Sequence, residues 1–387
     1  MIRTLTFHAD WQCHHSGRCC SSNWPIPVEH DTHAAVAGAV AEGTLQTHSP
    51  AAPAFETVDA DVLLARHDGR CVFHDGQTGG GCRIHRALGH DALPLACRQF
   101  PRVVVQHGAD YSVTLSHYCP SAAGLLDAAG EAGLKPPPYD THAADTTPAT
   151  HITLDTHTTD TTHTTQVTHT TEAPHTSHTT HSMNSSNTNH LVGLVASPDL
   201  PPLLHARCQF GWEEWLLFEE LSVDLLAREA WQGLAALACI VEDLRQWAPG
   251  GAPLAEAVRR VFAAPRTLAG SPAVMRADVV AARITDVLAA VPAPWRGTAE
   301  HALATRGDAP SPRVAGRLLA AHAFANWTAY SGRGLRAWYR SIEGAAALLA
   351  ATGDVGAVDL VLRHLADSSA LIARWNQAEA VPLIPRP

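Results

Sequence analysis

Seven of the nine cysteines fall within the first 119 residues: Cys13, Cys19, Cys20, Cys71, Cys82, Cys97 and Cys119. Thiolates are soft donors, and this density around an adjacent pair suits zinc or an iron–sulfur cluster. All seven are candidate metal ligands. Cys19 and Cys20 do not easily bind one tetrahedral ion together, because neighbouring side chains diverge. They suit different irons of a cluster, or one ligates while the other packs. No CxxC pair occurs, so zinc-ribbon spacing is absent. Seven thiols exceed what one tetrahedral zinc uses, which favours a cluster with spare thiols or two sites. Pro120 follows Cys119, as a proline follows a cluster cysteine in ferredoxin-like ligation.

Other polar residues crowd this block. His14, His15, His74, His85 and His90 are ligands, proton carriers or plain hydrogen-bonded histidines. Arg18, Arg70, Arg83, Arg98 and Arg102 each sit within five residues of a candidate ligand. Guanidinium groups there would offset the negative charge of a thiolate cluster, hold a carboxylate or phosphate, or simply face solvent. No Ser-His-Asp, P-loop, HExxH or paired-carboxylate constellation stands out, so no general acid or base is assigned. A GxGxxG between strand and helix is also missing, which leaves an ordinary Rossmann methyltransferase site without support.

The elements that must position these thiols divide the chain into three segments. Residues 1–135 read as a small irregular α+β domain. Short β-like runs occur at Ile2–Phe7, Val103–Gln106 and Tyr111–Ser116, with helical stretches at Glu29–Val40 and Asp59–Ala65 and a turn at Gly79–Gly81. So few regular elements imply that a metal does part of the folding. In 136–192 histidines recur every six residues from His151 to His181 in a Thr-rich background. That composition predicts a disordered linker, with a weak histidine metal reservoir as the other reading. Residues 193–387 read as an all-helical bundle. Helices are expected at Trp212–Trp247 (one, or two in succession), Leu254–Phe262, Ala273–Val291, Val314–Tyr330, Leu335–Ala351 and Val355–Trp375. Thr352-Gly353-Asp354 forms the turn between the last two. Cys208 and Cys239 stand alone in helix-like sequence, and the eight tryptophans from Trp212 on read as core anchors.

With 387 residues the chain can bury two ordinary cores. A formal charge of -10, with a single lysine at Lys135, excludes a basic nucleic-acid surface. No apolar run approaches the ~20 residues of a membrane span, and no charged leader precedes an apolar run, so a cytoplasmic protein without a membrane partner is expected. Thiols stay reduced there, which favours metal binding over disulfides.

From Trp11 to Cys119 the sequence resembles the YkgJ-type cysteine-cluster family of zinc- or iron-chelating domains. The family's opening C-x2-C-G-x-C-C stands here as Cys13-His14-His15-Ser16-Gly17-Arg18-Cys19-Cys20, with Ser16 in place of the second cysteine. Cys71-Val72-Phe73, Gly81-Cys82-Arg83-Ile84-His85, Cys97-Arg98-Gln99-Phe100-Pro101-Arg102 and Cys119-Pro120 match in order and spacing. The resemblance implies a metal-binding domain, with an iron–sulfur cluster favoured over zinc. A further resemblance, to the flagellin lysine-N-methylases, rests on the same cysteine domain followed by a helical region. It implies a protein lysine N-methyltransferase using S-adenosylmethionine, with a protein substrate such as flagellin. The remaining reading is a structural protein in which zinc staples a small domain to a helical bundle.

Overall fold

Ile2–Leu5 lies one strand in from the edge of a five-stranded sheet. It pairs in parallel with Asp110–Leu115, which makes a hairpin with Arg102–His107. The two edges are Leu134–Lys135 and Leu194–Ala196, so the chain leaves the sheet on one side and returns on the other. The three expected β runs are therefore strands, and they are neighbours. The computed structural model describes residues 2–14, 16–22, 24–58, 60–76, 81–130, 133–135, 193–196, 202–205, 208–248, 250–265 and 275–377. The histidine-rich tract and the Gly79–Gly81 turn, up to Gly80, lie outside them. Residues Met1–Pro137 and Leu191–Pro387 form one unit, with an α+β architecture.

Two local expectations change. Asp59–Ala65 is not helical: Asp61–Leu64 is a strand paired with Phe55–Val58. The Val62-Leu63-Leu64 run buries its last two side chains from a pleated surface; the Leu64 N–H donates to the Ile26 carbonyl, and the Val28 N–H donates to the Val62 carbonyl. The helical segment also opens with strands. Leu203–His205 pairs with Cys208–Gln209, so Cys208 lies on a strand, whereas Cys239 is buried in a helix.

The helices follow the predicted pattern closely. Trp212–Arg245 is broken at Ala230, where φ is 46° and ψ −112°, giving two helices in succession. Trp215 and Phe218, rather than Trp212, are fully buried, together with Trp338 of the Leu335–Thr352 helix. The Leu335–Thr352 helix stops where Gly353 takes φ 69°, a left-handed conformation that glycine adopts without steric cost, and Asp354 caps the next turn. Val314–Tyr330 shortens to a Pro312–Ala323 helix and a 3-10 turn, and Val355–Trp375 splits at a π-helical turn, Leu360–Leu365. Ala293–Ala304 is a helix the apolar periodicity did not suggest. Pro294 in its first turn marks its start, and Gly297 thins its apolar pattern.

Polar groups bind the sheet to the helices. Arg3 pairs at 2.9 Å with the fully buried Glu219. Arg317 donates to four carbonyls of the loop after the cysteine segment, at Leu125, Leu126, Ala128 and Gly130. The largest group centres on Asp359, which is 0% exposed. Its carboxylate accepts from the His117 backbone N–H and from Nδ1 of His117 at 3.0 Å, Nε2 of His322 at 2.6 Å and Nε of Arg363 at 3.3 Å. Because His117 Nδ1 donates, its Nε2 is free to accept, and His8 Nε2 lies 3.1 Å from it. Ser116 and His364 meet at 2.8 Å beside this chain.

Burial holds the His8, His322 and His364 rings neutral, with His322 pushed down to about 4 and His364 to about 3. An unfolded histidine, titrating near 6.5, takes up a proton that the folded ring refuses. Stability is therefore fully present above about pH 6.5 and is lost as pH falls from there toward 4 and then 3. Each ring contributes a slope of up to ~1.4 kcal/mol per pH unit in its window. Urea melts between pH 7.5 and 4.5 should show the midpoint falling steeply below 6.5. A flat profile would mean that these rings are protonated inside the fold.

Candidate metal centre

Gly17 takes φ 67° and starts a 3-10 turn, Arg18–Ser21, that carries Cys19 and Cys20. The Cys20 backbone N–H returns to the Gly17 carbonyl at 3.0 Å, and Ser22 Oγ donates to the Cys19 carbonyl at 2.9 Å. Two small hairpins deliver the next thiols: Cys71 opposite Arg66, and Cys82 opposite His74. Cys97 sits on the short Leu95–Gln99 helix, whose first N–H is held by Glu29 Oε2 at 3.0 Å. These local pairings fold sequence-distant segments onto one centre.

The structure brings together five of the seven candidates. Cys19, Cys20, Cys71, Cys82 and Cys97 lie within each other's electrostatic field and pack against one apolar cluster. The Cys19 and Cys20 sulfurs are 4.0 Å apart. Their hydrogen bond lowers the Cys19 thiol and raises that of Cys20. Burial pushes Cys71 up to about 12, raises Cys82, and raises Cys97 well above its usual range. The other two occupy another neighbourhood. Cys119 is buried with Leu115 and Ala122, and Trp11 packs on that group. Cys13 is exposed, and its neighbour His14 meets Ser121 Oγ at 3.2 Å. Ser16, at the place of a family cysteine, is exposed and takes the Arg18 backbone N–H at 3.4 Å.

Among the described residues, no three His, Cys, Asp or Glu side chains converge tightly enough to form a ligand set. The donor set nevertheless fits a soft cation in chemistry and surroundings. Cys19, Cys20 and Cys71 line a small cavity with Trp24, Ile26, Leu64 and Arg66. Trp24 is 7% exposed, and its Nε1–H is buried with no hydrogen-bond partner among the described residues. Arg98 Nε, beside Cys97, and Arg83 Nε, beside Cys82, are likewise buried and unpartnered. A buried orphan donor costs about 1–3 kcal/mol. Anionic metal-bound sulfurs are acceptors that would relieve it.

The cations nearest the thiols are not those closest in sequence. Arg66 lowers Cys71 and Arg86 lowers Cys82, each working against burial. Arg66 is held by Glu56 at 2.5 Å and lies 4.0 Å from the Trp295 ring centroid, while Arg86 pairs with Asp75. Arg18 rests on the Tyr118 ring, Arg102 on Trp11, and Arg83 on the Thr47 carbonyl. Spacing along the chain does not single out Arg66, five residues before Cys71, from the other arginines of the block. Its register opposite Cys71 is a tertiary fact. Of the histidines, His74 is buried next to Cys82 in the hairpin, while His14, His85 and His90 are exposed; His15 lies outside the described residues.

Residues 12–120 match the model of the CxxCxxCC family, described as "Putative zinc- or iron-chelating domain". The match ends one residue past Cys119 and spans all seven candidate cysteines. No curated protein and no solved structure matches the chain. Among the described residues no helix is long and apolar enough to cross a membrane.

Proposed function

We propose that this protein binds a metal through the thiolates of Cys19, Cys20, Cys71, Cys82 and Cys97, with an iron–sulfur cluster as the favoured occupant. The observation that carries this reading is the set of five desolvated thiols that share one neighbourhood with the orphaned Trp24 N–H. The similarity of residues 12–120 to a zinc- or iron-chelating family supports the same chemistry. Five donors including an adjacent pair suit a cluster better than one tetrahedral ion. Such a group would supply one-electron transfer, or a staple fixing the small hairpins. The chain's own residues do the rest. Arg66 and Arg86 offset thiolate charge, the Trp24 Nε1–H would donate to a metal-bound sulfur, and Ile26 and Leu64 keep water away.

One observation favours a single zinc ion instead. The space among Cys19, Cys20 and Cys71 is about 10 Å³, roughly one water-sized sphere. Anaerobic purification with elemental analysis and an absorption spectrum separates the two. Stoichiometric iron with a brown charge-transfer spectrum is expected, and colourless protein with stoichiometric zinc would select the single-ion reading. Neither metal at stoichiometric level would sink both. The resemblance to flagellin lysine-N-methylases adds S-adenosylmethionine binding as an expectation. Calorimetry on the metal-loaded chain tests it, and no binding heat would remove it.

A further inference from the structure

Beside the cysteine turn lies a second, larger concavity of about 490 Å³, the size of an ordinary small-molecule site. Arg18 and Ser22 of the turn, Tyr118, Ala302 of the Ala293–Ala304 helix, Asp354 and Leu360 line it. Two of these carry opposite charges that are not paired. The Arg18 guanidinium rests 5.2 Å from the Tyr118 ring centroid and hydrogen-bonds to the Tyr118 side chain, but among the described residues it forms no ion pair. Asp354 uses Oδ1 to accept from the Gly356 and Ala357 N–H groups at 2.7 and 3.2 Å. Its Oδ2 has no partner among the described residues.

These charges are neighbours. A Cβ placed on Gly356 would stand 3.1 Å from Asp354 Oδ1 and 3.5 Å from Arg18 Nη2. Glycine leaves that space open, and the two groups face it without joining. A purely anionic ligand would satisfy Arg18 and meet repulsion from Asp354. A purely cationic one would do the reverse. A ligand carrying both charges on adjacent atoms satisfies each side. Leu360, Ala302 and the Tyr118 ring supply apolar surface for a side chain.

We propose that this cleft binds a small zwitterion of the α-amino-acid class, its carboxylate on Arg18 and its ammonium on Asp354. Ser22 lines both this cleft and the thiol cavity, so the bound molecule lies against the cysteine turn. The inference goes beyond metal binding and does not require it.

Calorimetry on the full chain, with metal content measured on the same sample, tests this with three probes. They are L-norleucine, N-acetyl-L-norleucine, which lacks the ammonium, and L-norleucinamide, which lacks the carboxylate. L-norleucine should bind once per chain, and each blocked probe should bind at least ~10-fold more weakly, the scale of losing one charged hydrogen bond. Arg18→Gln and Asp354→Asn should each weaken L-norleucine by at least ~10-fold; asparagine keeps the capping acceptor, so the turn survives. No heat with L-norleucine, equal binding of all three probes, or undiminished affinity in Arg18→Gln would overturn the proposal. Tight binding of the acetylated probe would also overturn it, by leaving an anion site alone. Should Arg18→Gln fail to fold, the probe series on the unaltered chain decides. Metal-free protein that still discriminates the probes would keep this inference while the metal reading fails, and metal-replete protein that does not would do the opposite.

Discussion

Asp359→Ala is expected to lower the free energy of unfolding by about 3–5 kcal/mol, because it removes one partner of a buried ion pair and leaves the other uncompensated. Four donors converge on this carboxylate: the His117 backbone, His117 Nδ1, His322 Nε2 and Arg363. Burial alone would push its pKa up, yet Arg363, His322 and His117 together hold it well below the usual carboxylate range. Since His322 stays neutral, its contact is a hydrogen bond from an N–H to a carboxylate and not an ion pair. The group ties a turn adjacent to the sheet, at His117, to two helical segments far along the chain. Urea denaturation should show the loss as a lower midpoint. Asp359→Asn, which keeps one acceptor oxygen, should fall between wild type and alanine. A loss below about 1 kcal/mol for alanine would mean that these donors find water or other acceptors, and that the chain of histidines is not a structural tie.

Cys71→Ser is the second large effect. Removing a ligand should weaken metal binding by more than the ~10–100-fold that loss of an outer-shell partner costs. The same is expected of Cys82→Ser and Cys97→Ser, which sit on separate elements yet share the field of Cys19. Cys119→Ser is the contrast. It lies in a different apolar cluster with Leu115 and Ala122, so it should keep full metal occupancy and lose stability only modestly. Elemental analysis after dialysis against a chelator reads both arms. Equal metal retention in Cys71→Ser and wild type would remove Cys71 from the ligand set. Metal loss in Cys119→Ser would extend the site beyond the five thiols. Because the hairpins around Cys71 and Cys82 are only two residues a side, metal loss should also loosen them, visible as faster amide exchange there.

Much of this was readable in the chain. Period-two runs such as Tyr111–Ser116 marked strands, and three- and four-residue apolar steps marked most helices, because a strand or helix must bury one face. Asp59–Ala65 misled because a short apolar run fits either period, and the deciding factor was a partner strand at Phe55–Val58. The Ala293–Ala304 helix was missed for want of apolar periodicity. Yet it carries Trp295 against Arg66 and lines the cleft beside the cysteine turn.

By itself the sequence determined the chemistry on offer: seven soft donors in one family's order, an α+β class, and a helical second half. Residue type and local spacing decide those. The tertiary structure alone decided the grouping. It placed five thiols in one field and set Cys13 and Cys119 elsewhere; it chose Arg66 and Arg86 over the arginines nearest in sequence; it set His117 against Asp359, 242 positions away, with His322 on the same carboxylate and His8 against His117. Electrostatic and hydrogen-bond energies act over a few ångströms of space, whatever the distance along the chain, so only packing could say which groups meet.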